Sequence, residues 1–214
     1  MKTELVIFDW DGTLMDSVGR IISSMQACAR ALALPVPGEQ AVRDIIGLSL
    51  LPALEQLFPG LDEHGQQQLL AQYRDQYIEL DTTPTPLFEG VEPMLAALRQ
   101  RGTLLAVATG KARAGLERAF EHTGLGDYFI TSRTADDAHS KPHPQMLEQI
   151  LYETGVDAKG AVMFGDSALD MAMARAAGIR AIGIDLGVHD ASRLQAAGAE
   201  QVLSHWHHWP QVLT

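Results

Sequence analysis

The sequence is poor in cysteine, in positive charge and in long apolar runs, and each shortage narrows what the protein can be. Cys28 is the one cysteine in 214 residues, so no disulfide can form within the chain and a cysteine zinc cluster is excluded. Sixteen Lys and Arg stand against 27 Asp and Glu, a formal charge of −11. A surface of that sign repels phosphate backbones and anionic lipid, so neither nucleic acid nor membrane is expected as a partner. No apolar run approaches the ~18 residues of a membrane span. Met1-Lys2-Thr3-Glu4 lacks a signal-peptide pattern, which makes a cytoplasmic location the expectation. There is no internal repeat or low-complexity tract. What remains is ordinary globular composition, 46% hydrophobic and 20% charged, at a length that suits between one and two domains.

Leu5-Val6-Ile7-Phe8 is a continuous apolar run that stops at Asp9 and a glycine turn, the pattern of a strand buried on both faces. Similar runs lie at 104–108, 161–164 and 181–184, with weaker ones at Tyr128-Phe129-Ile130 and Gln201-Val202-Leu203. Helical spacing occupies 92–100, 112–122, 144–153 and 168–177. Strand and helix thus alternate from about residue 88 onward, which predicts an α/β fold, a Rossmann-like parallel sheet with helices on both faces. The stretch from Ser17 to Asp81 has no strand-like run. Ile21, Ile22, Met25, Ala29 and Leu32, then Leu50, Leu54 and Leu57, then Leu69, Leu70, Tyr73 and Tyr77 follow helical spacing, and Pro35, Pro37, Pro52 and Pro59 divide them into three or four helices. The expected organisation is a discontinuous α/β core at 1–15 and 85–214, interrupted after its first strand by a small helical cap domain at 16–84.

Ligands in open α/β sheets bind beyond the carboxyl ends of the strands. Those ends here are Asp9-Trp10-Asp11-Gly12-Thr13, Thr109-Gly110-Lys111 and Gly165-Asp166-Ser167, with Asp170 four residues past Asp166 and a loop at Ser140-Lys141-Pro142. Four carboxylates confined to one edge repel unless a cation neutralises them. An oxygen-only set favours Mg²⁺, which also binds phosphate oxygens. Asp9 and Asp11 lie on one face of an extended chain and Trp10 on the other. One acid can therefore attack phosphorus while the second supplies and recovers a proton. Thr13, Thr109 and the Gly110 amide, placed at a helix N-terminus, offer donors to a phosphoryl group, and Lys141 offers fixed positive charge. Asp166 and Asp170, at i and i+4, are expected on one helical face.

Phe8-Asp9-Trp10-Asp11-Gly12-Thr13-Leu14, Thr109-Gly110-Lys111, Ser140-Lys141-Pro142-His143-Pro144 and Gly165-Asp166-Ser167-Ala168-Leu169-Asp170-Met171 resemble, in order and spacing, the four motifs of the haloacid-dehalogenase-like hydrolases. The likeness is to the phosphoglycolate-phosphatase-like branch, whose helical cap lies between the first two motifs. It implies a phosphatase acting on a small phosphorylated metabolite such as phosphoglycolate or a sugar phosphate. Asp9 would be the nucleophile, Asp11 the general acid and then base, and Thr109 and Lys141 the phosphoryl-binding pair. Asp9, the carbonyl of Asp11 and Asp166 would hold Mg²⁺, with Asp170 acting directly or through water. A phosphomutase of the β-phosphoglucomutase type is the alternative on the same scaffold. A receiver-like phosphoacceptor domain is the alternative from another class. The protein is expected as a monomer or homodimer.

The segment Arg43-Asp44-Ile45-Ile46-Gly47-Leu48-Ser49 resembles the loop that relatives lower over the leaving group, which assigns Arg43 and Gly47 to substrate binding. Arg43 would contact a second anionic group or else lie on a helix surface. Lys111 and Arg113 are expected on the outer rim or a solvated helix face, Cys28 and Trp10 in packing, and His205-Trp206-His207-His208-Trp209 in a terminal anchor with no chemical role. Two departures from the family pattern stand out: Phe88-Glu89-Gly90 lacks a proline before its glycine, and Trp10 is bulkier than the usual residue.

Overall fold

The computed structural model describes residues 3–213. Met1 and Lys2, on which the N-terminal reading partly rests, and Thr214 lie outside the described residues. Among the described residues six strands form one parallel sheet: β1 (Leu5–Phe8), β2 (Leu104–Ala108), β3 (Thr131–Arg133), β4 (Ala161–Gly165), β5 (Arg180–Ile184) and β6 (Gln201–Leu203), in the order β3-β2-β1-β4-β5-β6. The chain direction across the sheet reverses between β1 and β4, and that switch point is where α/β sheets open a crevice for ligands. Phe8 is level with Val107 on one side and Phe164 on the other. The register therefore sets Asp9, Thr109 and Asp166 on one edge.

β1 is buried on both faces because its alternate side chains enter two cores. Val6 and Phe8 face the helices α5 (Val91–Gln100) and α6 (Arg113–Thr123). Leu5 and Ile7 face α7 (Gln145–Thr154) and α8 (Ala168–Ala176). Trp10 continues the Phe8 side and is fully buried, with Phe120 edge-on at 5.3 Å. Trp206 and Trp209 anchor the C-terminal turn in the same core, and the Trp206 indole donates to the carbonyl of Thr13 at 3.0 Å. The imidazoles of His205, His207 and His208 remain on the surface.

Two expectations about elements change. The weak strand at Tyr128-Phe129-Ile130 is displaced to Thr131–Arg133. Gly126–Tyr128 makes a 3₁₀ turn, and Phe129 is spent on stacking against Phe120 at 5.6 Å, so pairing with β2 starts after it. A further helix, α9 (Ala191–Ala197), buries Leu194 alone and so leaves no apolar period to detect; Asp190 caps it by accepting from the Arg193 amide at 2.8 Å.

Between β1 and β2 run α1 (Val18–Ala31), α2 (Glu39–Arg43), α3 (Leu50–Leu57) and α4 (Glu63–Asp75), which continues into a π turn at Gln76–Leu80. Val18, Met25, Cys28, Leu54 and Leu69 close a third apolar cluster. The return to the sheet is pinned by Asp81, whose carboxylate accepts from Ser23 Oγ, from Ser24 Oγ at 2.9 Å and from the Thr83 amide at 2.9 Å. Although partial burial works the other way, these donors lower its pKa to about 2. Asp81→Ala leaves them unanswered, so a loss of about 1–3 kcal/mol is expected, readable as a lower urea midpoint by circular dichroism.

Candidate active site

Asp9 follows β1 directly, and its backbone N–H donates to the carbonyl of Phe164 on β4. The chain then turns sharply at Gly12, whose φ of +78° favours glycine. A side chain there would also overlap the Asp166 carboxylate. Thr13 Oγ1 donates to Asp166 Oδ1 at 2.9 Å, and the Val188 amide donates to Oδ2 at 2.8 Å. Asp166 is therefore held from both sides. It precedes α8 and is not part of it, which corrects the expected i, i+4 helical pair: Ser167 is the N-cap and Asp170 the third helical residue. The two form a reciprocal capping box, with Ser167 Oγ 2.6 Å from Asp170 Oδ2. Asp170 nevertheless reaches the cluster, because the cap turns the helix start toward β1. Among the described residues, Asp9, Asp166 and Asp170 offer oxygens within 4.8 Å of one another.

One ammonium faces these three buried carboxylates. Lys141 Nζ lies 2.7 Å from Asp170 Oδ1 and 2.8 Å from Asp9 Oδ1, its side chain fully enclosed. Among the described residues Asp9 Oδ1 has no donor besides this ammonium. Burial raises the Asp9 pKa to about 7; Lys141 opposes the rise and the Asp170 charge adds to it. Burial, with the charges of Asp9 and Asp170, raises Asp166 well above the carboxylate range. Burial works against the charge of Lys141, yet Asp170 and Asp9 outweigh it and hold the ammonium above its usual range. The cluster thus has too little positive charge for its acids. An oxygen-only, dry, negatively charged set of this kind fits a hard divalent cation such as Mg²⁺.

Thr109 directly follows β2, buried, and its hydroxyl accepts from the Lys111 amide at 3.2 Å. It and Gly110 lie in the turn that leads into α6, whose N-cap is Ala112, so the Gly110 amide stands two residues ahead of that cap. Lys111 departs from the rim position. Its Nζ is 2.9 Å from both oxygens of Asp11 and 3.5 Å from the hydroxyl of Tyr77 in the π turn. Asp11 also accepts from Ser17 Oγ at 2.5 Å. Lys111 could have been found from its place two residues past Thr109 on an extended turn; Ser17 and Val188 left no local signal. Arg113 does lie apart, paired with Asp137 and Ser132.

The helical segment meets the core over this site. Gly47, at φ +101°, and Leu48 bring their carbonyls so close to Gly110 that a Cβ there would stand 2.6 Å from both oxygens. The Ser49 amide donates to Ser140 Oγ at 2.9 Å. Arg43 is held between Glu39, 3.0 Å from Nη2, and the carbonyl of Gly187, 3.3 Å from Nη1. Its guanidinium is thus engaged by the protein at the position where a second anionic group was expected. No helix among the described residues is long and apolar enough to cross a membrane.

Comparison with known proteins accords with this geometry. A family model described as haloacid dehalogenase-like hydrolase matches residues 6–184. The chain is 38% identical over 205 residues to "Probable phosphatase IndB" of Dickeya dadantii, covering 93% of this chain and 88% of that protein. It is 32% identical over 216 residues to a plasmid phosphoglycolate phosphatase of Cupriavidus necator, covering 98% and 92%. It also matches tyrosine-protein kinase PtkA of Mycobacterium tuberculosis at 32% over 185 residues, which is 86% of this chain and 62% of PtkA, less than two thirds of that protein. The crystal structure of a "predicted phosphoglycolate phosphatase" from Haemophilus somnus shares the fold at a TM-score of 0.91 and 22% identity, covering 100% of this chain and 99% of the other.

Proposed function

Since the chain belongs to the haloacid dehalogenase-like hydrolase family, we propose that it is a Mg²⁺-dependent phosphatase that hydrolyses a small phosphorylated metabolite, phosphoglycolate-like or a sugar phosphate, through an aspartyl-phosphate on Asp9. The observation that carries this is the buried set of Asp9, Asp166 and Asp170 gathered around the enclosed ammonium of Lys141. Asp9, Asp166, Asp170 and the carbonyl of Asp11 would hold the ion. When bound, Mg²⁺ offsets the charge of these acids and of the arriving phosphate.

Asp9 attacks phosphorus, the bond to the leaving oxygen breaks, and Asp11 gives that oxygen its proton. Water then attacks the aspartyl-phosphate, Asp11 takes a proton from it, and orthophosphate leaves with Asp9 restored. Lys141 and Thr109 bind the equatorial oxygens. Residues 16–84 act as a cap that closes over the substrate and excludes bulk water, with Gly47 at the seam. Lys111 stands beside Asp11 where the leaving group arrives, so a leaving group that draws Lys111 to itself frees the acid.

Orthophosphate release from a panel of phosphorylated metabolites, ranked by kcat/KM with and without Mg²⁺, tests the reading. Release that depends on Mg²⁺ is expected for small monoesters. Interconversion of hexose phosphates without orthophosphate would replace it with a phosphomutase, and a long-lived phosphoprotein without turnover would replace it with a phosphoacceptor.

A further inference from the structure

The loop Gly187-Val188-His189 touches the metal-binding acid on one side and the cap helices on the other. Its contacts with Asp166 are made by backbone: the Val188 amide to Oδ2 at 2.8 Å and the His189 amide to the main-chain oxygen at 3.1 Å. The approach is so close that a Cβ on Gly187 would overlap both the Asp166 carboxylate and the carbonyl of Gly12. The side chain of Val188 points the other way. It is buried in the apolar cluster formed by α1 to α4, the one core residue among those described to join that cluster.

The C-terminal end of α2 grips the same loop. Arg43 donates to the Gly187 carbonyl at 3.3 Å. Asp44 accepts from Arg193 of α9 at 2.7 Å and faces His189 Nε2 at 3.8 Å. His189 Nδ1 accepts from the Ala168 amide at 2.9 Å, so the neutral ring carries its proton on Nε2. That buried N–H has no hydrogen-bond partner among the described residues and faces the Asp44 carboxylate.

We propose that Arg43, Asp44, Arg193 and Val188 form a clasp that couples cap closure to the bracing of Asp166, which makes Asp44 and Arg193 positioning residues for the metal site. Lifting the cap would take Val188 out of its apolar surroundings and remove Arg43 from Gly187. The loop that donates to Asp166 would then be free to move. Coupling of this kind is reciprocal: an ion on Asp166 favours the closed cap by the same factor by which closure favours the ion. The clasp rests on the reading of Asp166 as a metal ligand.

Asp44 and Arg193 are partly exposed and lie outside the catalytic machinery, so Asp44→Asn and Arg193→Gln test the clasp in folded protein. Calorimetric titration of the metal-free enzyme with Mg²⁺ should show binding weakened about fivefold, near the lower end of common coupling strengths. Amide exchange at Val188 and His189 should be faster in each variant. The Mg²⁺ concentration for half-maximal rate should rise while the rate at saturating Mg²⁺ stays unchanged. The double variant should be no worse than either single one, and Asp44→Glu should retain wild-type binding. Wild-type Mg²⁺ affinity together with wild-type exchange at 188 and 189 would overturn the proposal. If the wild type takes up no Mg²⁺, or Asp166→Asn binds it equally well, the metal assignment fails instead, and the exchange rates alone then decide the clasp.

Discussion

Asp9→Asn is expected to abolish orthophosphate release, by at least about 10⁴-fold, while leaving the metal-free protein more stable at pH 8. Both effects have one origin. In the proposed reaction Asp9 attacks only as an anion, and the fold keeps that anion dry beside Asp170 and Asp11, with Lys141 as its counter-charge. An amide is isosteric, uncharged and unreactive toward phosphorus. The sign with pH follows from linkage. In the fold Asp9 titrates at about 7, against 3.8 for the ordinary group, so between those values the native state binds more protons than the unfolded chain. Its contribution to stability is fully present below about pH 4 and is lost as pH rises through 7. Metal-free wild type should therefore lose more stability between pH 5 and 8 than Asp9→Asn. His189, whose pKa burial lowers, contributes a slope of opposite sign in both proteins and cancels from the comparison. Thermal melts in EDTA across this range measure the difference. Equal slopes would show that Asp9 does not carry the buried charge, and retained phosphate release would remove it as nucleophile. Saturating Mg²⁺ should flatten the wild-type slope, since a bound cation keeps the carboxylates ionised at lower pH.

Lys141→Met should be the most destabilising single change at the site. The ammonium is enclosed and lies within 2.8 Å of two carboxylates; removing one partner from a buried ionic set costs about 3–5 kcal/mol because the remaining charges are left uncompensated. For a chain of this length that is a fall in Tm of roughly 6–20 °C. The loss should be smaller at pH 5, where the acids can neutralise themselves by protonation, and smaller again in Mg²⁺, which supplies positive charge to the same oxygens. The two rescues separate an electrostatic penalty from a packing penalty, since a methionine that merely fits badly would be helped by neither. The rate in Mg²⁺ should stay reduced by about 10²–10³-fold, the usual effect of deleting a preorganised group that stabilises developing charge.

The strands and the four motifs that resemble the family's were legible because each is a local pattern. An apolar run that ends in an acid and a glycine reads the same in a linear chain as at the edge of a sheet. The helical segment was legible for a similar reason, through periodicity interrupted by prolines. The strand at Tyr128-Phe129-Ile130 was misplaced by three residues because apolarity alone does not distinguish a ladder residue from Phe129, which stacks instead on Phe120. Asp170 was placed on a face shared with Asp166, since spacing cannot tell that the helix starts between them at Ser167.

The linear order of residues determined which chemical groups the protein owns and which strand ends carry them: the two acids after β1, the threonine after β2, the acid after β4. Only folding decided their partners. Lys111 turns inward to Asp11, 100 positions away in the chain. Val188 divides itself between a carboxylate and the helical cluster, and Asp44 meets Arg193 across 149 positions. The reason is physical. Strand and helix tendencies are written within a few neighbouring residues, whereas the charge balance of a buried site is a sum over groups that meet only after the sheet has aligned its edges and the helices have settled on top of it.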